Sequence, residues 1–136
     1  MFSLDTNTVI GILTGRSPSA RTRLIEARAA NAITLLSPVV LLELWYGAEK
    51  SAYPDRNRAN LKSFLASPIE VLTFDASDAM ASGEIRAFLE RSGTPIGPND
   101  LQIAGQALAR GLTVVTNNER EFRRVPNLSV TNWMSA

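Results

Sequence analysis

Short apolar runs alternate with helical patterns along the whole chain, and this alternation most limits the folds that it can adopt. Short apolar runs bounded by turn residues are typical of buried strands. The predicted strands are Phe2–Leu4, Ile33–Leu36, Ile69–Phe74, Leu112–Thr116 and Ser129–Thr131. Strands separated by helices favour a parallel sheet with helices packed on its faces. The sequence therefore predicts an α/β sandwich with a largely parallel sheet, formed as one domain over residues 1–136.

The helix boundaries are marked by proline, serine, aspartate and glycine. Ser17 and Ser37 each precede a proline, so both are predicted to cap a helix whose first turn holds that proline. Asp75 is predicted to cap a long helix, with Asp78 near its first turn. The predicted helices run from Asp5 to Gly15, from Pro18 to near Asn31, from Pro38 to about Lys50, from Pro54 to Ala66, from Asp75 to around Gly93 and from Pro98 to Gly111.

Histidine and cysteine are absent from the 136 residues, which restricts the possible chemistry. A histidine general base, a Cys-His or Ser-His-Asp nucleophile and an ordinary zinc site are all excluded. The 14 basic and 13 acidic residues leave a net charge of +1, so the overall charge does not indicate a polyanion-binding protein. Twelve of the basic residues are arginine, whose planar fork matches phosphate, although genomic base composition can produce the same bias.

The apolar stretches are too short to cross a membrane. The longest, at residues 38–42 and 112–115, fall far below the roughly 20 residues that a spanning helix needs. The N-terminal segment carries Asp5 before its apolar run, where a signal peptide would carry basic residues. We therefore expect a cytoplasmic protein without a membrane partner.

Two aspartates follow patterns that fit either a helix cap or a functional site. Asp5 ends the first predicted strand and begins a helix, and aspartate is a preferred capping residue. Asp100 lies in the first turn of its helix, where the helix dipole favours an acid. Ligands of parallel sheets bind beyond the carboxyl ends of the strands, and both Asp5 and Thr116 lie at such ends. Both interpretations remain open for the two aspartates.

Glu43 stands in a helical segment that is apolar on nearly all sides, Val39–Trp45. A glutamate is almost never fully buried without a partner, because an unpaired carboxylate loses its hydration. Either an arginine or a bound cation must then compensate the charge. Glu119 and Glu121 follow the Leu112–Thr116 strand, and Glu119 is best interpreted as part of a solvated turn with neighbouring arginines.

Several carboxylates from distant parts of one chain, with neither histidine nor cysteine, describe a site made of oxygen ligands. Magnesium and manganese prefer such ligands, and magnesium keeps several waters that substrate phosphate can replace. These ions polarise a phosphoryl oxygen and lower the pKa of a bound water. The favoured reaction is hydrolysis of a phosphodiester bond.

Four motifs occur in an order that resembles the PIN-domain family, and more narrowly the VapC-type toxins of type II toxin-antitoxin systems. They are Leu4–Asn7, Glu43–Gly47, Asn99–Ala104 and Val115–Phe122, and the resemblance extends to Trp133 near the C-terminal end. It implies a three-layer sandwich and a magnesium-dependent endoribonuclease that a cognate antitoxin holds inactive. It also implies a homodimer, or a heterotetramer or larger assembly with the antitoxin.

The resemblance assigns roles to individual residues. Asp5, Glu43 and Asp100 fall on the metal-binding positions of the family and are expected to be catalytic. Asn118 stands where many PIN domains have a fourth acid, so that Glu121 is an alternative fourth carboxylate and the occupancy of a second metal position stays open. The residues expected to orient substrate are Thr6, Asn7, Thr116 and Asn118, and those considered for gripping the RNA backbone are Arg16, Arg21, Arg23, Arg120, Arg123 and Arg124.

Two other functions compete with this interpretation. A phosphatase or receiver-like domain with an aspartate nucleophile would need a second acid near Asp5, and Asn7 stands at that position. A PIN-like scaffold that binds RNA or protein without cutting would explain the missing fourth acid. Against the scaffold stands the retention of Asp5, Glu43 and Asp100.

Overall fold

The computed structural model describes residues 1–135 and contains a five-stranded, fully parallel sheet in the order β3-β2-β1-β4-β5. Its strands are β1 (Phe2–Leu4), β2 (Thr34–Leu36), β3 (Glu70–Val71), β4 (Thr113–Val115) and β5 (Ser129–Thr131). The register pairs Phe2 with both Thr34 and Thr113, so β1 is the central strand. This confirms the predicted parallel α/β architecture.

Helices fill every connection between successive strands. They are α1 (Thr6–Thr14), α2 (Pro18–Ala29), α3 (Pro38–Lys50), α4 (Pro54–Ala66), α5 (Ala76–Arg91), α6 (Pro98–Arg110) and the short α7 (Glu119–Phe122). The chain moves outward from β1 to β3 and then returns across the sheet to β4. Because crossovers are right-handed, this reversal places α5 and α6 on the face opposite α1 to α4, which gives three layers.

The core lies between the sheet and these helices. Leu4 and Leu36 on the sheet and Val9, Val40 and Ile103 on the helices are each at most 1% exposed. Continuous apolar strands are expected when both faces of a parallel sheet are covered. None of the helices in residues 1–135 combines the length and apolar character that crossing a bilayer requires.

The helix signals in the sequence are largely confirmed. Ser17 accepts a hydrogen bond from the backbone N–H of Ala20, and Gly111 ends α6 in the left-handed region with φ at 68°. Asp75 and Asp78 form a reciprocal capping box at the start of α5. Ser37 occupies the predicted capping position of α3, but its side chain makes no capping hydrogen bond.

Three predicted strands are shorter in the structure. The run Ile69–Phe74 pairs only at Glu70–Val71, because its neighbour β2 ends where Pro38, which has no backbone N–H, begins α3. The strand predicted from Ile33 begins at Thr34. The run Leu112–Thr116 pairs only at Thr113–Val115, since the N–H of Leu112 still bonds to the carbonyl of Ala107 at the end of α6.

The solvated position beside arginines that was predicted for Glu119 is confirmed, but the predicted turn is a short helix. Glu119 begins the short helix α7 and is only half-buried. Its carboxylate accepts hydrogen bonds from Arg123 at 2.9 Å and from Asn132 at 3.1 Å. Asn132 directly follows β5, so the segment after β4 is tied to the end of the neighbouring strand.

Candidate active site at the carboxyl edge of the sheet

The reversal of strand order places a crevice between the carboxyl ends of β1 and β4. β1 leads outward to β2 on one side, whereas β4 lies on its other side. Such a switch point is where open α/β sheets bind ligands, because the loops on its two sides lead to opposite faces. Asp5 directly follows β1 and Thr116 directly follows β4, so both residues lie at this point.

Asp5 is a helix cap and a site residue at the same time. Its Oδ1 accepts a hydrogen bond from the N–H of Thr8 at 2.9 Å, which caps α1. Its Oδ2 accepts a hydrogen bond from the Thr116 hydroxyl at 2.5 Å, which joins the ends of β1 and β4. The two interpretations of Asp5 are therefore compatible.

Asp5 is only 5% exposed, and burial is the largest cause that raises the pKa of its carboxyl. The hydrogen bonds from Thr116 and Thr8 oppose this rise, and the negative charge of Glu43 adds to it. The fold thus places a carboxylate among neutral donors and another carboxylate. It supplies no positive charge to Asp5 from within residues 1–135.

A hydrogen-bonded network connects Asp5 to Asp100 and Glu121. The Thr116 hydroxyl accepts a bond from the N–H of Asn118 at 2.9 Å. The side-chain amide of Asn118 donates to Asp100 Oδ2 at 3.3 Å and also to the carboxylate of Glu121. The structure therefore brings together residues from the end of β4, the first turn of α6 and α7. Asn118 is a hydrogen-bond donor in this network, at the position where many members of the resembled family have a fourth acid.

The closeness of Asp100 and Glu121 favours a state in which the two carboxyl groups share one proton. Burial, followed by the hydrogen bond and negative charge of Glu121, raises the pKa of Asp100 to about 7. The hydrogen bond from Asp100 lowers the pKa of Glu121. Two adjacent carboxyl groups avoid a double negative charge in this way. A divalent cation would relieve the same repulsion by displacing the shared proton.

Glu43 lies on α3 and is half-buried. Its Oε1 accepts a hydrogen bond from the Thr6 hydroxyl at 2.8 Å, which links α3 to the first turn of α1. None of the six ion pairs in residues 1–135 involves Glu43, so the alternative of an arginine partner is not realised there. Glu43 also lines a groove of about 610 Å³ between α1, α3 and α4, together with Leu13 and Arg56.

The other predicted residues contribute unequally. Asn7 is exposed in the first turn of α1 and takes no part in the hydrogen-bonded network of the site. Arg21 donates to the carbonyl of Ile12 at 2.8 Å and so stabilises the end of α1. Arg123 pairs with Glu119, and Arg124 donates to the carbonyl of Pro95 at 2.8 Å. Exposed side chains without an ion pair in residues 1–135 remain at Arg16, Arg23 and Arg120.

The donor set fits a hard divalent cation by its chemistry. All the candidate ligands are carboxylate oxygens, which magnesium and manganese prefer. Burial and the neighbouring charge of Glu121 raise the pKa of Asp100, so the charged form of this carboxyl group lacks compensation. As they stand, however, no three acidic side chains in residues 1–135 lie close enough together to enclose a metal ion. A cation would have to draw Asp5, Glu43 and Asp100 inward.

Sequence reasoning missed two residues near this edge. Asn132 donates to Asn117 at 3.2 Å as well as to Glu119, and its position directly after the last predicted strand was an available signal. Ser37 follows β2 at the same edge and was interpreted only as a helix cap.

The chain matches the PIN domain family over residues 3–128. The chain therefore belongs to the PIN-domain family. Within this family it groups with the VapC ribonucleases. It is 46% identical to the tRNA(fMet)-specific endonuclease VapC of Salmonella typhimurium over 97% of both chains. It is 40% identical to Ribonuclease VapC2 of Rickettsia felis over 98% of both chains.

Solved structures agree with this assignment. The chain superimposes on VapBC2 from Rickettsia felis, bound to a DNA fragment from its promoter, with a TM-score of 0.90 and 39% identity, covering 97% of this chain and 98% of that one. It superimposes on DNA-bound VapBC from Salmonella typhimurium with a TM-score of 0.88 and 45% identity, covering 97% of each chain.

Proposed function

We propose that this chain is the toxin of a toxin-antitoxin pair and hydrolyses phosphodiester bonds of RNA with the help of Mg²⁺ or Mn²⁺. The observation that carries the proposal is the hydrogen-bonded network that links Asp5, Asp100 and Glu121 at the switch point, where none of these carboxylates has an ion pair within residues 1–135. Family membership supports the nuclease activity, and the oxygen-only donor set supports the choice of cation.

We propose a different role for each group of site residues. Asp5, Asp100 and Glu43 would hold the cation, with Thr116 and Thr6 orienting the carboxylates of Asp5 and Glu43. When bound, the cation supplies Lewis-acid polarisation of the phosphoryl group and lowers the pKa of water. Asn118 keeps Asp100 and Glu121 together. A bound cation would favour the charged forms of both carboxyl groups.

Positive charge beside the site would attract the RNA backbone. Arg120 is exposed on α7, one residue before Glu121, and Arg124 lies at the end of the same segment. Contacts from arginine to phosphate strengthen binding without reading the sequence. We therefore propose Arg120 and Arg124 for this role.

An antitoxin is the proposed protein partner. Solved structures of similar chains are toxin-antitoxin complexes, and these support a partner of the same kind. The groove beside Glu43 is lined by Ile10, Leu13 and Leu44, so an apolar segment fits it. A basic side chain in that segment would neutralise Glu43 and block the site. We also propose that the chain forms a homodimer and acts in the cytoplasm.

The test is an RNA cleavage assay with a matched pair of variants. Glu43→Gln removes a site carboxylate, and Glu84→Gln removes an exposed one on α5. We expect wild type and Glu84→Gln to cleave single-stranded RNA with Mg²⁺ or Mn²⁺, and to stop when chelator is added. Glu43→Gln should be severely impaired.

Two outcomes would contradict the proposal. Cleavage that survives the chelator would exclude the cation mechanism. If calorimetry shows no Mg²⁺ or Mn²⁺ binding and no RNA is cut, the scaffold interpretation holds instead. The toxin role is tested separately, by comparing growth and RNA integrity after induction with and without the neighbouring reading frame.

A further inference from the structure

Two serines begin helices in the same sequence context but differ in their hydrogen bonds. Ser17 precedes Pro18, and its Oγ accepts a bond from the N–H of Ala20 at 3.2 Å. Ser37 precedes Pro38, yet its side chain makes no capping bond. The Oγ of Ser37 is buried and has no hydrogen-bond partner in residues 1–135. A buried hydroxyl without a partner loses its hydration and gains nothing in return, so this one calls for an explanation.

The sheet register places Ser37 beside Asp5. β1 and β2 are parallel, with Phe2 opposite Thr34 and Ser3 opposite Leu35. Continuing this register along both chains pairs Asp5 with Ser37, each one residue beyond its strand. Side chains at paired positions of neighbouring parallel strands point to the same face of the sheet. Ser37 is 0% exposed and Asp5 is 5% exposed, so both residues are buried at the carboxyl edge of the sheet.

Asp5 does not need the Ser37 hydroxyl in this structure. Both oxygens of its carboxylate already accept hydrogen bonds, one from Thr8 and the other from Thr116. The backbone carbonyl of Ser37 is also engaged, by the N–H of Val40 at 3.0 Å. The hydroxyl of Ser37 is therefore left without a hydrogen-bond partner in residues 1–135, at the register position that pairs with a proposed cation ligand.

We propose that Ser37 is a positioning residue of the carboxylate site, whose hydroxyl holds a water of the hydrated cation next to Asp5. The inference rests on the proposed function, because it requires that a cation binds. Magnesium keeps several waters when bound to protein carboxylates, and these waters need hydrogen-bond acceptors and donors of their own. Groups that orient such a shell typically change metal affinity or activity by about 10- to 100-fold when removed.

The experiment compares Ser37→Ala with Ser17→Ala, two identical substitutions at equivalent helix positions. Calorimetry measures binding of Mg²⁺ and Mn²⁺ to each purified full-length chain, and thermal unfolding without metal measures stability. We expect Ser37→Ala to weaken metal binding by about 10- to 100-fold and to leave the midpoint of unfolding unchanged or higher. Ser17→Ala should bind metal like the wild type and unfold about 4 °C lower, because a capping bond is lost.

Ser37→Cys separates the lost hydrogen bond from a change in packing. Cysteine fills nearly the same space, but its sulfur is a weak acceptor for the hydrogen bond that a cation-bound water donates. We expect Ser37→Cys to bind metal as weakly as Ser37→Ala. Wild-type metal affinity in either Ser37 variant would overturn the inference. So would a lower unfolding midpoint for Ser37→Ala like that of Ser17→Ala, since the hydroxyl would then have a structural partner.

The same data distinguish this inference from the proposed function. If the wild type itself binds neither Mg²⁺ nor Mn²⁺, the proposed function fails, and Ser37 loses its role with it. If the wild type binds the cation and the Ser37 variants bind it equally well, only the role of Ser37 fails.

Discussion

Asp5 and Asp78 are both buried aspartates near helix starts, but the fold treats their charges in opposite ways. Asp78 is 0% exposed and receives two bonds from Arg110, from Nε to Oδ1 at 3.1 Å and from a terminal nitrogen to Oδ2 at 2.8 Å. Gln106 adds a third donor at 3.3 Å. Within residues 1–135, Asp5 accepts hydrogen bonds from the Thr116 hydroxyl and from the backbone N–H of Thr8.

The pKa values follow this difference. The hydrogen bonds and charge of Arg110 lower the pKa of Asp78 to about 2 despite its burial. Burial and the neighbouring Glu43 raise the pKa of Asp5. The fold therefore pairs Asp78 with Arg110, whereas Asp5 has no ion pair within residues 1–135. The charge at Asp78 therefore belongs to the structure, and the charge at Asp5 is available to a ligand from outside.

The contrast between Asp5 and Asp78 is tested most directly by removing each charge and measuring RNA cleavage. We expect Asp5→Asn to lower kcat/KM by roughly 100-fold or more, because it removes a proposed cation ligand. Asp78→Asn should leave the cleavage rate of the folded protein close to that of the wild type. Initial rates with saturating Mg²⁺ check both expectations. Equal losses in the two variants would mean that Asp78 also belongs to the reaction.

The next largest effect is on the free energy of unfolding. Here Asp78→Asn should lose more than Asp5→Asn, the reverse of their order in RNA cleavage. Asp78→Asn should cost about 2–3 kcal/mol of unfolding free energy, because Arg110 keeps its charge beside a neutral amide. Asp5→Asn should change stability by less than about 1 kcal/mol, since it removes a charge that lacks a cation while the amide oxygen can still cap α1. Urea denaturation of the metal-free proteins measures both values. A larger loss for Asp5→Asn than for Asp78→Asn would reverse our assignment of the two charges.

The dependence of stability on pH distinguishes a buried carboxylate with a cationic partner, Asp78, from a site carboxylate without one in residues 1–135, Asp100. The pKa of Asp78 is lowered from 3.8 to about 2 by folding, so its stabilising contribution is present above about pH 4 and is lost as the pH falls toward 2. The pKa of Asp100 is raised from 3.8 to about 7, so its contribution is present below about pH 4 and is lost as the pH rises toward 7.

Metal-free protein should therefore be most stable at mildly acidic pH. Asp78→Asn should remove the acidic decline, and Asp100→Asn should flatten the decline toward neutral pH. Unfolding free energies measured with chelator from pH 2 to pH 8 test this. Adding Mg²⁺ at pH 7 should restore stability to the wild type, since the cation displaces the proton that Asp100 and Glu121 share. An unchanged neutral decline in Asp100→Asn would contradict this account.

The smallest effect is expected for an ion pair that lies in neither the Asp5 site nor the Asp78 cluster. Arg86 and Glu90 pair at 3.0 Å on the surface of α5, with both side chains more than half exposed. Arg86→Ala should change the unfolding free energy by less than about 0.5 kcal/mol and leave cleavage unaffected. Denaturation and the RNA assay measure both. A loss comparable to that of Asp78→Asn would show that burial is not what separates these ion pairs.

Several elements were predictable because their signals are local. Pro54–Ala66 and Ser129–Thr131 have the predicted bounds, and Gly111 ends α6 as expected. Proline in a first turn and glycine at a helix end act through the backbone of their own residues and close neighbours. The strand Ile69–Phe74 was overestimated, since pairing depends on a neighbour that is distant in sequence.

The site was predictable as a set of residues but only partly as an arrangement. The motifs located Asp5, Glu43, Asp100 and Glu121, and three of these four share a hydrogen-bonded network in the structure. No motif indicated that Asn118 would connect Asp100 with Glu121, or that the Thr6 hydroxyl would donate to Glu43.

The sequence by itself determined the alternation of strands and helices, the parallel sheet and an acidic site without histidine or cysteine. Only the tertiary structure decided which charges meet. The strand order β3-β2-β1-β4-β5 brings Asp5 and Thr116 together across 111 positions, and the packing of α5 on α6 gives Arg110 to Asp78 across 32. Capping and turn signals act over a few residues, whereas the compensation of a buried charge depends on what the whole fold places beside it.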